Sequence, residues 1–163
     1  MLKLLITMTT ILTAGFSAQA QDIDNILVQK SARKMYLRQG DSVIKEYNIR
    51  LGKNPVGTKL RQGDSKTPEG YYKIVAHKPD SAFHRALRIS YPTEEQLKTA
   101  KENGYSAGGD IMIHGYPNRA PNFIFNWVHK FKDWTAGCIA VTDAEIEEIY
   151  DLVKDGTAIH IEP

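Results

Sequence analysis

The stretch Ile26–Gly52, "ILVQKSARKMYLRQGDSVIKEYNIRLG", decides the fold class. It falls into three short runs, "ILVQKS", "KMYLRQ" and "SVIKEYNIRLG", separated by polar breaks. In the third run Val43, Tyr47, Ile49 and Leu51 recur at period two, with Lys45 the exception. That alternation is the pattern of a strand with one buried face. Gln39-Gly40-Asp41 is a hairpin turn between the second and third runs. The chain therefore opens as a β-meander.

Residues 52–70, "GKNPVGTKLRQGDSKTPEG", hold four glycines and two prolines. These are too many breakers for a helix or an inner strand. The segment reads as a long functional loop. It lacks the Gly-Lys-Ser/Thr ending of a phosphate-binding loop. "YYKIV" at 71–75 is a strand, and Leu87, Ile89 and Tyr91 alternate in another. Thr93 to Asn103 is a short helix, with a Thr93/Gln96 capping box and a stop at Gly104. "DIMIHG" (Asp110 to Gly115) is a short strand, and residues 116–134 are expected to be irregular, aromatic and proline-broken. A second helix starts at the Thr142/Glu145 capping box, buries Ile146, Ile149, Tyr150 and Val153, and ends by Gly156. "TAIHIE" closes the chain as a strand. The expectation is a mainly β sandwich or barrel-like fold with two short helices at its margin.

The ends and the charge bound the function. "MLKLLITMTTILTAGFSAQA" has a basic start at Lys3, an apolar middle from Leu4 to Phe16 and a small-x-small site at Ala18-Gln19-Ala20. Residues 1–20 read as a secretory signal peptide, with 21–163 as one domain. The apolar run is too short and threonine-rich to be a good bilayer span, and no later run is long enough, so no membrane span is expected after cleavage. The chain carries a formal charge of +2, and Lys3 is the one charge in residues 1–20. The near balance that remains argues against nucleic acid as a partner.

Cys138 is the only cysteine. In an exported chain it can form no internal disulfide, and a free thiol there risks oxidation. A buried, inert cysteine is the bland alternative. The surroundings favour chemistry. His114 ends a strand and precedes Gly115, and an imidazole near a thiol raises its thiolate fraction and then protonates a leaving amine. Gly115 supplies a carbonyl able to fix the tautomer. Gly137 lets peptide N–H groups near 137 and 138 converge on an oxyanion, and Thr135 adds a hydroxyl on the substrate-binding side. His129 is the rival base, from a less rigid segment. A metal would draw on Cys138, His114 and His129, but paired ligand spacings are lacking, so neither metal nor cofactor is expected. His77 and His84 read as solvated, and His160 as a surface histidine. Arg119, Tyr116, Trp127 and Trp134 are candidates to line a cleft for a carboxylate-bearing peptide.

"IHG" at 113–115, "TAGCIAV" at 135–141, "LGK" at 51–53 and "KTPEGYYKI" at 66–74, in that order, resemble the L,D-transpeptidase catalytic domain, also called YkuD-like, over nearly all of 21–163. The resemblance implies a YkuD-like β-sandwich with Cys138 as nucleophile and His114 as base. It implies an acyl-enzyme formed on peptidoglycan stem peptides at the L-to-D (diaminopimelate) bond, and a periplasmic location. The acyl group then passes to an amine of a neighbouring stem or of a lipoprotein. Three features depart from the family pattern. Ala136 stands where His is frequent, Ala140 where Arg or Asn is frequent, and the His114–Thr135 interval is longer than usual. The variant "DWTAGCIAVTDAEI" looks closest to a murein L,D-transpeptidase-like subgroup that includes a peptidoglycan–lipoprotein amidase. The same dyad could then release lipoprotein or trim peptidoglycan as a hydrolytic amidase or carboxypeptidase. A non-catalytic peptidoglycan-binding module is the third reading.

Overall fold

The computed structural model describes residues 22–119 and 121–163, so the expected signal segment lies outside the described residues. The meander is present as β1 (Asn25–Gln29), β2 (Lys34–Gln39) and β3 (Ser42–Asn48). β1 and β2 alternate buried and part-exposed residues, as half-buried strands must. β3 departs from its expected pattern at Val43, which is exposed, while Tyr47, Ile49 and Leu51 are buried. A register shift between Leu37 and Arg38 in the β2–β3 pair lies near that end.

β4 (Gly70–Ser81) is longer than its apolar core suggests and pairs antiparallel with β5 (His84–Ile89). β6 (Met112–His114), β7 (Ile139–Ala140) and β8 (Ala158–Glu162) complete an eight-stranded sheet ordered β3-β2-β1-β8-β4-β5-β6-β7. Two of its pairings, β1–β8 and β6–β7, are parallel. The chain just beyond β3 returns to the β7 edge. Arg50 and Ala140 exchange backbone hydrogen bonds of 2.8 and 2.7 Å, and Gly52 bridges Thr135. The sheet thus curls until its two ends meet, and Ile26, Met35, Leu37, Ile49, Leu51, Ile113, Ile139 and Ile159 fill the core.

Among the described residues three helices flank the sheet, one more than expected. α1 (Glu94–Glu102) and α3 (Asp143–Leu152) both carry the expected capping boxes. His77, expected to be solvated, is half-buried. Its ring meets the Tyr150 and Val153 carbonyls at the end of α3 and the Asp155 carboxylate. α2 (Asn122–Phe131) is the correction, because it forms inside the stretch expected to be irregular. Pro121 stands at its N-cap, where the missing N–H costs nothing, so the proline starts a helix instead of breaking one. Phe123, Ile124, Trp127 and Phe131 leave its apolar side facing solvent.

Residues 52–69 are indeed a loop, and buried cations fix it. Lys30 reaches it from the end of β1, donating to the Gly57 and Thr67 carbonyls and pairing with Glu69 at 2.7 Å. Lys59 pairs with Asp64 at 2.8 Å inside the loop. Burial alone would raise the Asp64 carboxyl, but hydrogen bonds from Arg61, Lys59, Leu60 and Lys66 outweigh it and hold the group at about 2. The loop therefore has a defined shape where it meets the cysteine turn.

Candidate active site

The cysteine turn is tied down from both sides. Asp133 accepts the Leu51 amide at 2.9 Å and a two-pronged ion pair from Arg33 at 2.8–3.2 Å. The Thr135 amide donates to the Leu51 carbonyl, and the Thr135 carbonyl accepts from Lys53. The Thr135 hydroxyl, expected on the substrate side, is buried and spent inside the turn. It donates to the Cys138 carbonyl at 2.8 Å and accepts the Gly137 amide at 3.0 Å.

Gly137 sits at φ +139°, where L side chains are strained, and a Cβ there would lie 2.6 Å from the Lys66 carbonyl oxygen. Its role is close approach to the 52–69 loop. Its amide is already bonded to Thr135, and the Gly115 amide to the Phe83 carbonyl. Of the amides near 137 and 138 expected to face an oxyanion, that of Gly137 is therefore occupied. The Cys138 amide donates to no acceptor among the described residues.

The β6–β7 ladder places the two reactive groups. Ile113 faces Ile139 and His114 faces Ala140. Side chains alternate along a strand, so Cys138 and Ala140 share the face that carries His114. The Cys138 thiol lies beside the Met112 amide, which lowers its pKa, and points its S–H at the Asp110 carbonyl at 3.6 Å. Burial raises the thiol pKa more than that amide and the Lys59 charge lower it. The His114 Nδ1 bonds the Gly115 carbonyl at 2.7 Å. That carbonyl only accepts, so Nδ1 carries the proton and Nε2 keeps its lone pair. Burial, only partly offset by this bond, lowers the imidazole pKa to about 4. At neutral pH the imidazole is neutral and the thiol, on the same face of the ladder, is protonated.

Aromatic rings flank His114. Phe83 lies 4.5 Å and Trp134 5.6 Å from the His114 ring, and Phe125 of α2 packs on Trp134. Tyr116 is buried against Phe125 and His129, with its amide on Asp143. Arg119 and Trp127 are exposed, the first in a turn and the second on the outer side of α2. His129 is buried in α2 and packs on Tyr116, with no ring contact to His114 among the described residues. A residue that sequence reading did not single out is Arg50. Its signal is the ladder itself, since Arg50 pairs with Ala140, which pairs with His114.

A family model for the YkuD L,D-transpeptidase catalytic domain matches residues 24–161. The chain is 29% identical over 132 residues to the protein YafK of Escherichia coli (strain K12), covering 78% of this chain and 45% of that one. Among solved structures, the helical cell shape determining protein Pgp2 of Campylobacter jejuni superposes with a TM-score of 0.64 at 26% identity. That match covers 86% of this chain and 47% of Pgp2. Bd1075 of Bdellovibrio bacteriovorus gives 0.57 at 27%, covering 90% and 50%. An L,D-transpeptidase of Mycobacterium smegmatis, at 15% identity and a TM-score of 0.55, shares the fold, with 85% of this chain and 58% of that one covered. The chain spans about half the length of YafK and Pgp2. With a match that runs from the first strand to the last, the chain belongs to the YkuD L,D-transpeptidase catalytic domain family.

Proposed function

We propose that this chain is an exported cysteine enzyme that transfers acyl groups on peptidoglycan stem peptides, with Cys138 as nucleophile and His114 as base. The observation that carries the reading is the parallel β6–β7 register, with the His114 Nδ1 held by the Gly115 carbonyl. Membership of the L,D-transpeptidase family supports the substrate, and the composition of residues 1–20 supports export to the periplasm.

In the first step Cys138 Sγ attacks the carbonyl carbon of the L-to-D bond at diaminopimelate, and its proton moves to His114 Nε2. The carbonyl π pair moves onto oxygen, where the unpartnered Cys138 amide donates. Collapse breaks the C–N bond, the imidazolium returns its proton to the leaving amine, and a thioester remains. An amine of a neighbouring stem or of a lipoprotein then attacks the thioester. It gives its proton to Nε2, the C–S bond breaks, and the thiol is restored. A neutral imidazole and a protonated thiol at rest support proton transfer concerted with attack.

The test is incubation with tetrapeptide muropeptides and with lipoprotein-linked peptidoglycan, read by mass. A new cross-link is the expected result. Released lipoprotein peptide or a lost terminal residue would make water the acceptor, and full activity in Cys138→Ala would overturn the dyad.

A further inference from the structure

His114, Ala140 and Arg50 stand in one row across three adjacent strand segments. Paired residues share a face, and strands lie about 4.8 Å apart, so Arg50 starts roughly 10 Å from His114 on the His114 side of the sheet. The residue between them is an alanine, so little side chain fills the gap. Beyond the row lies a cleft of about 540 Å³ between α2 and the strand ends, lined in part by Arg50, Tyr116, His129, Lys130 and Glu145.

The cleft holds polar groups that the fold leaves unused. His129 is only 6% exposed, and neither ring nitrogen makes a hydrogen bond of normal geometry among the described residues. The Asn48 carbonyl stands near enough to raise its pKa, but burial lowers it further. The Arg50 Nε is buried with no partner. Its terminal nitrogens donate to the Ile49 and Lys130 carbonyls. No carboxylate pairs with the Arg50 guanidinium among the described residues. Glu145 is committed elsewhere, because its Oε2 accepts the Thr142 amide and hydroxyl. A buried donor without an acceptor is costly, and a guanidinium bound only to neutral carbonyls gains from a carboxylate. Arg50 and Lys130 give the cleft two cations against the one carboxylate of Glu145.

We infer that this cleft binds a free carboxylate of the peptide substrate, with Arg50 as its cationic partner and His129 as a hydrogen-bond donor. Arg50 would then be a specificity residue that a neighbouring strand presents across the small Ala140. The inference rests on the stem-peptide reading for the identity of the ligand, but not for its charge.

The test uses the Cys138→Ala protein, which cannot turn over. Histidine imidazole resonances are followed by NMR during titration with N-acetyl-D-alanine and with its uncharged amide. Affinity for a tetrapeptide muropeptide is measured before and after Arg50→Gln and Arg50→Lys. The acid should shift the His129 resonances and the amide should not. Arg50→Gln should abolish that shift and weaken muropeptide binding about tenfold or more, with Arg50→Lys in between. Equal shifts from acid and amide, or unchanged muropeptide affinity in Arg50→Gln, overturn the inference. If the acid shifts His129 while no muropeptide binds, the cleft stands and the stem-peptide reading falls.

Discussion

His114 pairs with Ala140 across the parallel β6–β7 ladder, and this pairing sets the thiol two residues upstream on the same face. The two groups come from separate parts of the chain, but backbone pairing holds their relative position. Burial leaves the proposed base, His114, neutral and the proposed nucleophile, Cys138, protonated at rest.

Thiol reactivity should therefore rise late with pH. Burial raises the Cys138 pKa and lowers that of His114, so a resting thiolate–imidazolium pair is disfavoured. Iodoacetamide labelling of the free protein should still be accelerating above pH 9. A plateau reached below pH 7 would show a preformed ion pair instead.

His114 should make stability fall with acid. Its folded pKa of about 4 lies below the ordinary value of 6.5. As pH drops, the unfolded chain takes up the proton first. Stability is thus full above pH 6.5 and is lost as pH falls toward about 4. The loss is on the order of 3 kcal/mol. Urea unfolding at pH 7 and pH 4, compared between the parent and His114→Asn, isolates the contribution. An equal pH loss in both proteins would refute it.

Asp133 should matter to the site without touching substrate. It joins the Leu51 amide and the Arg33 guanidinium directly before the cysteine turn. Asp133→Ala leaves a part-buried cation and an amide unpaired, which costs about 1–3 kcal/mol. A urea midpoint indistinguishable from the parent would remove this role.

The Thr135 hydroxyl should tolerate serine but not valine. It bridges the Cys138 carbonyl and the Gly137 amide. Thr135→Val should cost about 1–2 kcal/mol and lower acyl transfer, while Thr135→Ser should restore both. Equal effects from the two substitutions would point to packing of the methyl group instead.

Much of this was legible locally. Period-two runs, capping boxes and the His-Gly strand end are written in adjacent residues, and they located α1, α3 and every strand but the two-residue β7. α2 was hidden because its stripe, Phe123, Ile124, Trp127 and Phe131, faces outward and a proline precedes it. Its helical spacing was visible, but apolar residues in a proline-flanked stretch do not announce a solvent-facing side. The Thr135 hydroxyl and the Gly137 amide are satisfied within the turn, which only three-dimensional closure reveals. Arg50 could not be found from spacing at all. It reaches the site only because the chain beyond β3 closes onto β7, a pairing 90 residues apart in sequence.

The central claim is a covalent bond between Cys138 and the stem peptide. Intact-protein mass spectrometry after a rapid acid quench with tetrapeptide muropeptide tests it directly. The expected adduct equals the peptide minus its leaving amino acid, maps to Cys138 and is greatly reduced in His114→Asn. Turnover with no adduct on Cys138, or an adduct mapped elsewhere, would contradict it.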